Sequence, residues 1–264
     1  MPERQLDRDA VIAATQEAAA LAFASWRDGA VPDAKVWEKS RDNFVSDIDM
    51  AVDALLTTRL QAILPEAAWL SEETLDDPRR LDARLLWLVD PIDGTRDYVR
   101  GRSGWCVSVA LVADGIPIFA VMAAPAEHKI WVAARGEGVT CNNAPLSGST
   151  RLDFTGSRVP ADELPRLDAD LVTVTKPNSI AMRMTMVACD RADLVATLRW
   201  GNEWDIAAAH LVAQEKFLIR GPLLRLQTRV IRAGPDAVLV QFRRHALRAL
   251  AALAIDDAAL ARTG

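Results

Sequence analysis

Five short apolar segments, each bounded by turn residues, follow one another between residues 67 and 134. They are rich in Val, Ile and Trp, which favours β-strands over helices of such short length. Asp114-Gly115 between two of them is typical of a β-hairpin turn. The predicted strands are Ala67–Leu70, Leu85–Val89, Cys106–Ala113, Ile116–Ala124 and Ile130–Ala134. We therefore expect a sheet, with loops over Gly136–Gly148 at its end.

Two amphipathic helices are predicted before the sheet. Apolar residues recur at helical spacing from Asp7 to about Arg27, after which Gly29 and Pro32 end the run. A second helix begins at a cap, Ser46 or Asp47, and ends before Pro65. Its beginning carries three acids, Asp47, Asp49 and Asp53.

The second half of the chain mixes strands and helices. We predict strands at Leu171–Thr175 and Val238–Phe242, and helices at Ile180–Met186, Glu203–Gln214 and His245–Leu253. This mixed order favours an α/β (α+β) layered sandwich with alternating helix and sheet layers, αβαβα. Two subdomains, residues 1–150 and 151–264, are expected to meet near residue 150.

The composition excludes several classes of protein. The 264 residues carry a net charge of −5 and no Lys/Arg block, which argues against a nucleic-acid or membrane-surface face. The polar N-terminus lacks the features of a secretory signal, so a cytoplasmic location is expected. The three cysteines lie far apart without a C-x-x-C pair, which indicates structural roles.

The segment Leu85–Thr95 carries the strongest chemical signal. An apolar strand ends in Asp90 and Asp93, separated by Pro-Ile and followed by Gly94. Two carboxylates held close together repel unless a cation lies between them, and hard oxygen ligands select Mg²⁺, Mn²⁺ or Ca²⁺. The Gly94 and Thr95 amides at the following helix start favour an anion such as phosphate. The alternative is a capped turn without any ligand.

Other acids follow predicted elements, each with an ordinary structural explanation. Ser71-Glu72-Glu73 follows a strand, where paired glutamates are common in solvated loops. Asp205 and Asp49 each lie in the first turn of a helix, where an acid interacts favourably with the helix dipole.

Taken together, four motifs resemble the inositol monophosphatase family of lithium-sensitive, magnesium-dependent phosphatases. They are Phe44–Val52, Ser71–Glu73, Asp90–Thr95 and Trp204–Ala208, and the likeness spans roughly residues 35–215. The resemblance implies the family's fold, a homodimer, and two to three Mg²⁺ ions for which Mn²⁺ can substitute.

The resemblance also implies residue roles. One metal would be held by Glu72, Asp90 and the Ile92 carbonyl, and a second by Asp90, Asp93 and Asp205. A third, weaker ion would use Glu72. Asp49 and Thr95 would orient and help deprotonate the attacking water, while the Gly94 and Thr95 amides would bind phosphate.

The substrate is less sharply indicated. Arg96-Asp97-Tyr98 resembles bacterial 3'(2'),5'-bisphosphate nucleotidases, which favours 3'-phosphoadenosine 5'-phosphate, although Arg96 and Asp97 could instead form a surface ion pair. The alternative substrate is inositol 1-phosphate or a related polyol or sugar phosphate. The second subdomain offers candidates for binding a further phosphate or a hydroxyl: Lys176, Asn178, Arg183 and Glu203.

A function of another class is a non-catalytic binding partner of the transcription machinery on the same scaffold. The retained acids Glu72, Asp90, Asp93 and Asp205 favour catalysis. One departure from the family pattern is Gln214–Phe217, where the family has a Glu-Ala-Gly-Gly turn. This departure leaves the subdomain packing and the dimer contacts in question.

Overall fold

The computed structural model describes residues 6–40, 43–146, 155–164, 170–197, 202–218, 230–232 and 238–240. Its first elements are helix α1 (Arg8–Ser25), the hairpin β1 (Val36–Ser40) and β2 (Asn43–Ser46), and helix α2 (Asp47–Ile63). Both predicted helices are confirmed. Asp7 caps α1 by accepting from the Ala10 amide, and Ser46 caps α2.

A seven-stranded sheet forms the centre of the fold. Its strands, in spatial as well as chain order, are β3 (Ala68–Ser71), β4 (Leu85–Asp93), β5 (Cys106–Ala113), β6 (Ile116–Ala124), β7 (Lys129–Ala134), β8 (Gly138–Cys141) and β9 (Ala144–Pro145). Within this sheet, only the β3–β4 pair is parallel. The five predicted strands are confirmed, but the prediction of loops over Gly136–Gly148 was wrong, because β8 and β9 extend the sheet there.

The described residues form three further α-helices and five further short strands. They are α3 (Thr95–Tyr98), β10 (Arg158–Pro160), β11 (Val172–Val174), α4 (Ile180–Ala188), β12 (Val195–Thr197), α5 (Glu203–Leu218), β13 (Val230–Arg232) and β14 (Val238–Val240). Strands β10 and β11 pair in parallel, and β12, β14 and β13 form a small antiparallel sheet. Short 3₁₀ turns cover Pro78–Asp82 and Pro125–Glu127.

The two faces of the central sheet bury separate apolar clusters. Along β5, Val107, Val109 and Leu111 pack with α1 and α2, whereas Cys106, Ala110 and Val112 pack with α4 and α5. This alternation follows from the two-residue period of a strand. Each fully buried Val or Leu contributes about 1.5–3 kcal/mol to folding. The sheet is therefore the rigid layer on which both helical layers rest.

The described part of the chain shows a helix layer, the sheet, a second helix layer, and the short strands β10–β14. The predicted helix His245–Leu253, Phe242 and the predicted subdomain boundary near residue 150 lie outside the described residues. The boundary stays a prediction. Among the described helices, none combines the length and the apolar character needed to cross a membrane.

Candidate metal centre

A bulge in β4 brings Asp90 and Asp93 to one face of the sheet. Asp90 pairs with Ser108 and Asp93 with Cys106, so Pro91 and Ile92 together face only Val107. On a regular strand, two residues three positions apart point to opposite faces of the sheet. The extra residue in the bulge returns Asp93 to the face on which Asp90 lies. Paired residues share a face, and Cys106 belongs to the α4/α5 cluster. Both aspartates therefore face the α4/α5 layer.

Glu72 reaches the same place through the parallel pairing of β3 and β4. Ser71 pairs with Val89, and the Glu72 amide donates to the Val89 carbonyl at 3.3 Å. The register therefore continues one step beyond the strand and places Glu72 beside Asp90.

Asp205 comes from the first turn of α5, where its Oδ2 accepts from the Asn202 amide at 2.6 Å. Carboxylate oxygens of Glu72, Asp90 and Asp205 all lie within 4.8 Å of one another. Asp90 is buried, and its Oδ1 has no hydrogen-bond partner among the described residues. A buried anionic oxygen without a donor is costly, so this arrangement suits a cation.

Burial raises the pKa of each acid in this cluster. The pKa of Glu72 rises to about 8 and that of Asp205 to about 7, while the pKa of Asp90 lies well above its ordinary value. The neighbouring carboxylates add to the rise, and Lys39 opposes it at Glu72. Without a cation, protons bound to these carboxylates therefore take the place of a metal ion in reducing the negative charge.

Asp49 and Thr95 also meet, as predicted from the resemblance. Asp49 forms a capping box with Ser46, whose amide and hydroxyl donate to Asp49 Oδ2 at 2.8 and 2.5 Å. The Thr95 hydroxyl lies 3.3 Å from Asp49 Oδ1 and 2.9 Å from the Ile92 carbonyl oxygen. Burial raises the pKa of Asp49 to about 6. The Thr95 hydroxyl proton thus lies between two acceptors, Asp49 Oδ1 and the Ile92 carbonyl oxygen, beside the acidic cluster.

Asp93 lies on the same face but is engaged with α4. Its Oδ2 accepts from the Ser179 hydroxyl at 2.5 Å and from the Ala181 amide at 2.8 Å. Gly94, at φ +95°, allows this close approach, because a Cβ there would lie 2.9 Å from the amide nitrogen of Ser179, the N-cap of α4. The structure therefore joins the predicted metal loop to the N-terminus of α4.

Two of the predicted substrate residues, Lys176 and Glu203, lie in ion pairs. Lys176 pairs with Asp162, and Arg80 pairs with Glu203 at 2.9 Å. Arg183 donates to the Asn178 and Ser179 carbonyls, and its charge opposes the rise that burial causes in the pKa of Asp93 and Asp205. Of the predicted phosphate-binding residues in the second subdomain, Arg183 is thus the one whose charge acts on the site.

The Arg96-Asp97-Tyr98 triplet is turned largely toward the fold. Asp97 is buried and accepts from the Asn178 amide at 2.8 Å. Tyr98 is buried, donates to the Ala22 carbonyl at 2.9 Å, and contacts Trp105 edge to face. Asp97 and Tyr98 therefore have structural roles and give no support to the nucleotide preference.

Two features of the site were not predicted. Lys39 of β1 lies 2.5 Å from a Glu73 carboxylate oxygen. Asp53 of α2 accepts from the hydroxyls of Ser71 and Thr74, which flank the two glutamates. The signal available for Asp53 was an acid on the apolar side of a helix, which is rarely buried without a partner.

Comparison with known proteins identifies the family of this chain. The sequence profile of the inositol monophosphatase family matches residues 4–216. The chain belongs to this family. The inositol monophosphatase assignment agrees with the resemblance of the four motifs.

Named relatives and solved structures support the same conclusion. Nus factor SuhB of Xylella fastidiosa (strain Temecula1) is 32% identical over 195 residues, covering 68% of this chain and 69% of the relative. Inositol monophosphatase 2 of Solanum lycopersicum is 26% identical over 217 residues, covering 75% and 82%.

Two crystal structures share the inositol monophosphatase fold. The extragenic suppressor protein suhB from Bartonella henselae has a TM-score of 0.71 at 23% identity, covering 79% of this chain and 84% of the other. An IMPase/NADP phosphatase complexed with Mg²⁺ and phosphate has a TM-score of 0.60 at 22% identity, covering 70% and 73%. The predicted fold class is thereby confirmed.

Proposed function

We propose that this protein is a magnesium-dependent phosphatase of small phosphate monoesters. The observation that carries the proposal is the meeting of Glu72, Asp90 and Asp205 from three separate segments, with a buried Asp90 oxygen that lacks any donor among the described residues. An acidic cluster of this density, with carboxylate oxygens as its donors, suits a hard divalent cation.

The residues fit Mg²⁺, and Mn²⁺ offers the same preference for oxygen ligands. Glu72, Asp90 and the Ile92 carbonyl would hold one ion, and Asp90, Asp93 and Asp205 would hold a second, with Glu72 available to a third. When bound, Mg²⁺ would supply positive charge that neutralises the phosphoryl group and makes water more acidic. The solved IMPase/NADP phosphatase of this fold is complexed with Mg²⁺ and phosphate, which supports the proposal.

Asp49 and Thr95 would orient the attacking water and take its proton. The Thr95 hydroxyl can accept from water while it donates to Asp49 Oδ1. Because burial raises the pKa of Asp49 to about 6, this carboxylate is a stronger base than an ordinary aspartate and is still ionised at neutral pH. The Gly94 and Thr95 amides would contact the phosphate.

Inositol phosphates, or related polyol or sugar phosphates, are the substrate class that we favour. The relatives named above include an inositol monophosphatase and no bisphosphate nucleotidase. The buried roles of Asp97 and Tyr98 remove two of the three residues on which the nucleotide preference rested. Lys176 and Glu203 would each have to leave an ion pair to contact a substrate. A homodimer stays a prediction.

The test is phosphate release from inositol 1-phosphate, 3'-phosphoadenosine 5'-phosphate and fructose 1,6-bisphosphate. We expect release only with Mg²⁺ or Mn²⁺, inhibition by Li⁺, and the highest kcat/KM with inositol 1-phosphate. Asp114→Asn is the control substitution, because Asp114 is exposed in a turn at φ +50°, which asparagine tolerates. Release that continues in EDTA would refute the metal-dependent chemistry.

A second candidate is a non-catalytic role with the transcription machinery, favoured by the name of the Xylella fastidiosa relative, Nus factor SuhB. The two functions differ in their dependence on the acids. Variants that remove a carboxylate from the cluster should abolish phosphatase activity, whereas a binding role would survive them if the protein stays folded.

A further inference from the structure

Asp53, a buried acid of α2, binds the segment that carries Glu72 and Glu73. Asp53 lies on α2 with 7% of its surface exposed. The Ser71 hydroxyl donates to its Oδ1 in a short contact, and the Thr74 hydroxyl donates to its Oδ2 at 3.0 Å. One carboxylate thus binds the residue directly before Glu72 and the residue directly after Glu73.

Each of the two hydroxyls also accepts a hydrogen bond. The Glu73 amide lies 3.3 Å from Ser71 Oγ, and Trp69 Nε1 lies 3.3 Å from Thr74 Oγ1. Amide and indole N–H groups only donate. Two parallel relays therefore end at Asp53, from Glu73 N–H through Ser71 and from Trp69 Nε1–H through Thr74.

We propose that Asp53 is a positioning residue for the metal centre, fixing the backbone of the Ser71–Thr74 turn so that Glu72 faces Asp90 and Asp205. This inference rests on the proposed function. The Glu72 carboxylate is joined to that backbone by only a few bonds, so a shift of the turn also moves the carboxylate. Groups that orient metal ligands typically change metal affinity about 10–100-fold when they are removed.

The relays require a carboxylate at position 53, not an amide. A carboxylate accepts at both oxygens, whereas asparagine presents one oxygen and one NH₂ group. In Asp53→Asn, either the buried Ser71 or the exposed Thr74 would face the NH₂ group, and its hydroxyl would lose Asp53 as an acceptor. One of the two links between the turn and α2 would then be broken, although the volume of the side chain is nearly unchanged.

The experiment measures Mn²⁺ binding to the metal-free protein by electron paramagnetic resonance of the free ion, at 25 °C and pH 8. We expect Asp53→Asn to raise the Kd by about tenfold or more. Thr74→Val keeps the side-chain shape and removes one relay, and it should raise the Kd by about threefold. At saturating Mg²⁺, both variants should recover most of the wild-type kcat, because the ligands themselves are retained.

Two controls separate positioning from general destabilisation. Asp114→Asn makes the same chemical change in an exposed turn. Leu60→Val weakens the core on the same helix without touching the turn. Neither should change the Kd. Wild-type Kd values in folded Asp53→Asn and Thr74→Val would overturn the inference and leave the proposed function standing. A wild-type protein that binds no Mn²⁺ would refute both.

Discussion

At the scale of single residues, Asp90 depends most directly on a bound cation. Asp90→Asn replaces one of several repelling carboxylates with an amide that can donate to Glu72 or Asp205. We expect phosphate release to fall about 100-fold or more, while the melting temperature in EDTA at pH 8 stays the same or rises. A variant that melts much earlier than wild type would mean that Asp90 stabilises the fold without a metal.

Asp93 should behave differently, although it belongs to the same motif. Burial raises the pKa of Asp93, but hydrogen bonds from Ser179 and Ala181 and the charge of Arg183 oppose that rise. Asp93→Asn should therefore remove most activity without unfolding the protein, but it should not gain the stability expected for Asp90→Asn. Thermal unfolding of the two variants in EDTA, side by side, measures this difference.

The sequence predicts the candidate metal ligands better than it predicts the residues that position them. Glu72, Asp90 and Asp205 lie in motifs that can be recognised without knowledge of the fold. Asp53 could be noted as an acid near the start of a helix, but its hydroxyl partners lie on another element. Contacts between distant segments have no local pattern, so this role needed the structure.

At the scale of elements, the N-terminus of α4 depends on one hydroxyl. Ser179 Oγ accepts from the Met182 amide at 2.9 Å and donates to Asp93. Ser179→Ala removes the cap and one donor to Asp93, which should lower the free energy of unfolding by about 1–2 kcal/mol. Urea unfolding measures the change. Ser179→Thr, which restores a hydroxyl, should recover part of it.

The strands that the sequence did not predict are short. The hairpin β1–β2 contains Glu38 and Lys39 and shows no clear two-residue alternation. Strands β8 and β9 have four and two residues and lie at the end of the sheet. Their formation depends on the neighbouring strand more than on local preference, which is a general property of β-structure. The longer strands β4–β7 carried their own apolar pattern and were predicted.

At the scale of the whole molecule, the site joins parts of the fold that are far apart in the chain. Asp49 comes from the α1/α2 layer, Glu72 and Asp90 from the sheet, and Asp205 from the α4/α5 layer. A cation bound among them would link all three layers. The missing Gly-Gly turn leaves this arrangement intact, because α5 continues to Leu218 and buries Glu215, which accepts from the Gly138 amide at 3.1 Å.

The same arrangement predicts how stability depends on pH. Burial raises the pKa of Asp49 to about 6, of Asp205 to about 7 and of Glu72 to about 8. Between about pH 4, where these acids titrate in the unfolded chain, and pH 8, these three acids bind more protons in the folded metal-free protein than in the unfolded chain. Their contribution to stability must therefore fall as pH rises through this window.

Divalent cations should reverse that trend, because they compete with the protons for the same oxygens. In EDTA, we expect the free energy of unfolding to be higher at pH 5 than at pH 8. Mg²⁺ at about 100 times its Kd should add about 2.7 kcal/mol at pH 8 and much less at pH 5, where protons occupy the carboxylates. Urea unfolding at the two pH values, with and without Mg²⁺, measures the free energy of unfolding under all four conditions. A Mg²⁺ effect that is equal at both pH values would show that the ion binds elsewhere than the raised-pKa acids.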